Sequence, residues 1–122
     1  LLVVVIFAGW QLFGSAPVQF VMSPTEVAPQ AAGVISLTAE QEGILTITDL
    51  PLLASDRQYQ LWLVYEGKHD TGAIFSVDAE GAATVLVNGQ RPLTEYERFG
   101  ITIEPAGGSE GPTGDRVLAY VP

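Results

Sequence analysis

The stretch Ile101–Gly114, reading ITIEPAGGSEGPTG, constrains the fold of this chain more than any other. It opens as a strand, with Phe99, Ile101 and Ile103 on one face and Gly100, Thr102 and Glu104 on the other. Pro105 then removes a ladder donor, and Gly107-Gly108 supplies backbone freedom that side chains deny. Pro112-Thr113-Gly114 makes a second turn before Val117-Leu118-Ala119-Tyr120 resumes as the last strand. A hairpin with so many turn residues in its loop is built to hold one shape. By itself it specifies a β domain and no chemistry.

The rest of the chain reads the same way. Strands are expected at Val18–Met22, Gly33–Thr38, Ile44–Thr48, Tyr59–Tyr65, Thr71–Val77 and Ala82–Val87, ahead of the final hairpin. Ser23-Pro24, Glu40–Gly43, Glu66–Asp70, Asp78–Gly81 and Asn88-Gly89 supply the intervening turns. Thr94-Glu95-Tyr96-Glu97 has capping-box form and predicts one helical turn. Tyr59-Gln60-Leu61-Trp62-Leu63-Val64-Tyr65 is apolar or aromatic on both faces, as a central strand covered on both sides would be. With 13 Gly, 8 Pro and 48% hydrophobic residues in 122, one domain with short strands and many turns is expected. The expected architecture is all-β, an antiparallel sandwich of about eight strands with Greek-key-like connections.

Fourteen acidic residues against five basic ones give a formal charge of -9, which repels phosphate backbones and argues against nucleic-acid binding. There is no cysteine, so disulfides, thiol nucleophiles and thiolate metal sites are excluded. Leu1 to Phe13 is almost wholly apolar, yet shorter than the roughly 20 residues a spanning helix needs. Three readings stand for residues 1–14: the outer end of a transmembrane helix, a signal-peptide core, or a buried strand. The helix end is favoured, with Trp10 near the interface and Gly14-Ser15-Ala16-Pro17 as the exit to a domain over residues 15–122.

Tyr59-Gln60-Leu61-Trp62-Leu63-Val64, Gly72 with Phe75, the turn ending at Gly81, and Thr102-Ile103-Glu104-Pro105-Ala106-Gly107-Gly108-Ser109 through Pro112-Thr113-Gly114 together resemble one family. They are similar to the C-terminal domain of RskA-type anti-sigma-K factors, over Val18 to Val121. The resemblance implies a bacterial cell-membrane protein with a single span and this domain outside the cytoplasm. It implies a sigma-factor partner bound by a cytoplasmic domain that is absent here, and release of that factor through site-1 and membrane proteases. It also implies that Tyr59, Leu61, Trp62, Gly72, Phe75, Gly81, Thr102, Glu104, Pro105, Gly107, Gly108, Ser109, Pro112, Thr113 and Gly114 are structural motif positions.

No catalytic, cofactor or metal site is assigned. Glu104 beside a Gly-rich loop could be a base or a cation ligand, but loop chemistry favours a clasp on the N–H groups of Gly107, Gly108 or Ser109. Gly107-Gly108-Ser109 lacks the lysine and helix start of a phosphate loop. His69 with Asp70 is one histidine on an expected turn, short of the three or four ligands a metal needs. No serine lies in a GxSxG context. The acidic pairs Glu40/Glu42, Asp78/Glu80 and Glu95/Glu97 are expected to be solvated turn carboxylates rather than a calcium site. Trp62, Tyr59 and Phe75 are assigned to packing rather than to a pocket. The expectation is a non-enzymatic regulatory domain whose fold shields Gly14 to Ser23 from proteolysis. The alternative is an exported sandwich that binds a ligand or peptide at a sheet edge or loop.

Overall fold

A computed structural model describes residues 18–122; the apolar segment 1–14, and every reading of it, lies outside the described residues. Eight strands follow in order: β1 (Gln19–Pro24), β2 (Ala32–Leu37), β3 (Gly43–Thr48), β4 (Arg57–Tyr65), β5 (Lys68–Phe75), β6 (Ala83–Val87), β7 (Arg98–Pro105) and β8 (Arg116–Tyr120). A single 3-10 turn is present, at Leu93–Glu95, but Pro92 is its N-cap and no side chain caps it, so Thr94–Glu97 does not form the capping box its pattern suggests.

All pairings are antiparallel, and the strands lie in the order β5-β4-β7-β8-β1-β2-β3-β6. This corrects the sandwich: the eight strands form one nearly closed, barrel-like sheet. The cause is β1. Gln19 to Met22 pair with β2, whereas Ser23 and Pro24 pair with β8. One strand therefore welds the two halves edge to edge instead of leaving two stacked layers. The ends β5 and β6 approach closely enough for the Asn88 N–H to bond the Gly72 carbonyl at 2.8 Å.

Strand alternation turns one apolar row of each strand inward. Ile35, Leu45, Ile47, Tyr59, Leu61, Leu63, Phe99, Ile101 and Leu118 form the centre of the core, each essentially without solvent contact. Each such burial is worth about 1.5–3 kcal/mol. Phe99 lies edge-on to Phe20 at 4.9 Å and stacked on Tyr120 at 5.4 Å, joining β7 to β1 and β8 where β1 changes partners.

The expected turn at Glu66–Asp70 is shorter. Glu66 (φ 50°) and Gly67 (φ 79°) alone reverse the chain, and Lys68, His69 and Asp70 already belong to β5. Two consecutive positive φ values give the tight hairpin whose twist matches its strands.

Candidate functional site

The second face of β4 and β7 carries the polar centre of the molecule. Gln58 sits opposite Glu104, Gln60 opposite Thr102, and Trp62 opposite Gly100. The loop from Ala106 to Asp115 folds back over this face. Gln60, Trp62, Thr102 and Glu104 are thereby buried, with Glu104 wholly sealed from solvent. Trp62 is thus buried outside the contiguous apolar core, on the side where loops rather than strands cover β4.

A hydrogen-bonded chain runs through it. The Trp62 indole N–H donates to Thr102 Oγ1 at 2.8 Å, and that hydroxyl donates to Glu104 Oε2 at 2.6 Å. The same carboxylate accepts the Ser109 hydroxyl at 2.8 Å, the Thr113 hydroxyl, the Thr113 N–H at 2.9 Å and the Gly114 N–H at 3.2 Å. Every lone-pair direction of the carboxylate is used, and every donor is neutral.

The expected clasp is therefore present, with different main-chain partners. Glu104 takes the amides of Thr113 and Gly114 because two glutamines take those of the Gly-Gly turn. Gln58 Oε1 accepts the Gly107 N–H at 2.9 Å. Gln60 Oε1 accepts the Ser109 N–H at 2.8 Å, while its Nε2 donates to the Ser109 carbonyl at 3.1 Å and to Thr71 Oγ1 at 2.8 Å. Gln60 so acts as a side-chain extension of the sheet, binding one residue of the loop from both sides. Gly108, at φ +93°, has no room for a Cβ, which would meet Ile74 Cδ1 at 2.5 Å and Gln60 Oε1 at 3.0 Å. Gly114 is tighter still: a Cβ there would overlap the Ile103 carbonyl. Gly114→Ala is expected to push the loop off β7 and lower stability by about 2–4 kcal/mol, read as the urea midpoint of unfolding.

Burial alone would raise the Glu104 pKa. Hydrogen bonds from Thr102, Thr113 and Ser109 to the ionised form outweigh it and hold the group at about 2, against an ordinary 4.5. A folded-state value below the unfolded one means the group stabilises the fold above pH 4.5, and that this contribution is lost as pH falls toward 2. The unfolding free energy should drop across that window, and Glu104→Gln should flatten the drop. Equal pH slopes for the two proteins would contradict the assignment.

The other expected positions are dispersed. Tyr59, Leu61 and Phe75 lie in the core, with Tyr59 and Phe75 stacked at 5.7 Å. The Tyr59 hydroxyl donates to the Pro51 carbonyl at 2.6 Å, and burial pushes its pKa up to about 12. Gly72 packs under Leu61 and Leu63, and Gly81 under Leu50 at the far end. Pro105 and Gly107 are exposed at the loop's start. His69 is exposed, its ring nearly perpendicular to that of Trp62 with centroids 6.1 Å apart. Its neighbour Asp70 accepts the Tyr96 hydroxyl at 2.8 Å on another part of the surface. Asp78 caps its own turn, accepting the N–H groups of Glu80 and Ala82 at 2.9 Å each. Among the described residues, no three His, Asp or Glu side chains converge as metal ligands would.

The family described as anti-sigma-K factor rskA, C-terminal, matches residues 2–116. A Streptomyces griseus protein, described as an uncharacterized protein in the phr 5' region, is 32% identical over 94 residues, which is 76% of this chain. The matched region spans 38% of that relative's length. No solved structure matches the chain.

Proposed function

The chain belongs to the family of anti-sigma-K factor C-terminal domains, and we propose on that premise that it is the extracytoplasmic regulatory domain of a membrane-anchored anti-sigma factor. In this reading residues 1–14 are the end of the membrane span, and the sigma factor is held by a cytoplasmic domain outside this sequence. Release follows proteolysis of the segment joining span to domain. The domain performs no chemistry of its own; its stability is its activity.

One observation carries the reading. The strand nearest the proposed membrane exit, β1, is paired along one edge to β2 over Gln19–Met22 and along the other to β8 over Ser23–Pro24. The Leu37 and Thr25 N–H groups extend the two ladders, bonding the Val18 and Val117 carbonyls at 3.0 Å each. A protease engages an extended chain through that same backbone edge. β1 becomes a substrate only after it is pulled from both neighbours, which costs the packing of Phe20 and Met22. Among the described residues no helix is long and apolar enough to cross a membrane.

Limited proteolysis with a broad-specificity protease, read by mass spectrometry, tests the proposal. Cleavage within Gln19–Ser23 should rise in proportion to the unfolded fraction across a series of destabilised variants. A cleavage rate that stays constant while measured stability falls would contradict it.

A further inference from the structure

A small groove opens on the outer face of β4, β7 and β8, at the Trp62–Thr102 end of the polar centre and away from Glu104. Its volume is about 150 Å³. Buried Trp62, Val64 and Thr102 with Gly100 form the floor, and exposed His69, Arg98 and Arg116 stand at the rim. The floor's polar groups are spoken for, since Trp62 donates to Thr102 and Thr102 to Glu104. It offers a ligand apolar contact and no free hydrogen bond.

The rim is the reverse. Two of the chain's five Lys and Arg residues and its sole histidine gather here, on a chain of net charge -9. Among the described residues neither Arg98 nor Arg116 has an acidic partner; the one ion pair joins Arg91 to Glu95 elsewhere. Two guanidiniums over an apolar floor, without an ion-pair partner among the described residues of an acidic chain, form a local positive potential.

Gly100 makes the opening. It lies on the outward row between Arg98 and Thr102, opposite Trp62. A Cβ at this position would meet only Arg116 Cδ and the Leu118 carbonyl, both at 3.9 Å. No steric demand of the fold requires glycine there; its missing side chain is the space of the groove.

We propose that this groove binds a small organic carboxylate, its planar apolar body on Trp62, Val64 and Gly100 and its carboxylate forked by Arg98 and Arg116. Guanidinium and carboxylate match as planar, two-point partners. A cavity near this size holds a six-membered ring. This site is independent of the regulatory reading above, and either stands if the other fails.

Benzoate titrated into the intact chain, followed by the amide and indole N–H signals of a ¹⁵N NMR spectrum, tests it. Benzoate should shift the Trp62 indole and the Gly100 amide saturably, while the neutral isostere benzamide should not. Arg98→Gln and Arg116→Gln should each weaken binding about tenfold. Gly100→Leu should abolish binding while the thermal midpoint and the rest of the spectrum are kept. A phenylalanine-terminated tripeptide, compared with its C-terminal amide, separates a chain terminus from a free acid as the source of the carboxylate. Equal shifts from benzoate and benzamide would overturn the proposal, as would tighter competition by inorganic phosphate or benzoate affinity unchanged in the two arginine variants. If Gly100→Leu fails to fold, the arginine variants decide alone.

Discussion

Glu104→Ala is expected to lower the stability of the domain by about 3–5 kcal/mol, the largest effect of any single polar substitution in the molecule. The change strands the hydroxyls of Thr102, Ser109 and Thr113 and the main-chain N–H groups of Thr113 and Gly114. Summed at full value, five such losses would come to about 5–15 kcal/mol, as much as the whole stability of a typical domain. They do not sum, because the Thr113–Gly114 side is exposed and water can replace the carboxylate there. The Thr102 end is buried and has no such relief. Glu104→Gln should cost much less, about 1–2 kcal/mol. Its oxygen can keep the Oε2 contacts, and its amide can donate to the hydroxyls of Ser109 and Thr113, which rotate to accept. Urea unfolding of the two variants separates loss of charge from loss of the acceptor. Equal midpoints for wild type and Glu104→Ala would show that the clasp does not stabilise the domain.

Trp62→Ala is expected to cost a further, comparable amount, about 3–5 kcal/mol, for a different reason. Trp62 is 2% exposed although it stands outside the contiguous apolar core. Its indole is buried against the outer face of β4 and β7, and its N–H fixes the Thr102 hydroxyl that reaches Glu104. Trp62→Phe keeps most of the bulk and drops the donor, for an expected cost of about 1–2 kcal/mol. Because Trp62 and Glu104 are joined through one hydroxyl, the double variant should cost less than the two singles together. Strict additivity would show that the chain of bonds carries no coupling.

Local order was legible along the chain, and long-range order was not. Alternation and turn residues located the outer strands, whereas β4 was legible from the opposite signal, a run apolar or aromatic on both faces and buried on both. The sandwich was wrong because the closing feature is not local. Nothing in Met22-Ser23-Pro24 states that its first residue pairs with Gly33 and its last with Leu118. The site divides in the same way. Glu104 stood out because a carboxylate before a Gly-Gly turn has a local use. Its real amide partners lie nine and ten residues on, past the Gly107 and Ser109 amides that Gln58 and Gln60 occupy from β4. Glutamine on a strand looks like any solvated polar residue, so the loop's second anchor carried no signal. The groove was invisible for the same reason: His69, Arg98 and Arg116 share a rim only after β4, β5, β7 and β8 are laid side by side.

The Glu104 carboxylate is buried and stays ionised because the main chain and hydroxyls around it direct their donors to it. A ¹³C NMR titration of the Glu104 side-chain carboxyl in the native protein measures this directly. The predicted midpoint is about 2, with the Thr113 and Gly114 amide signals moving at the same pH. A midpoint at the ordinary 4.5, with those amides unmoved, would contradict it.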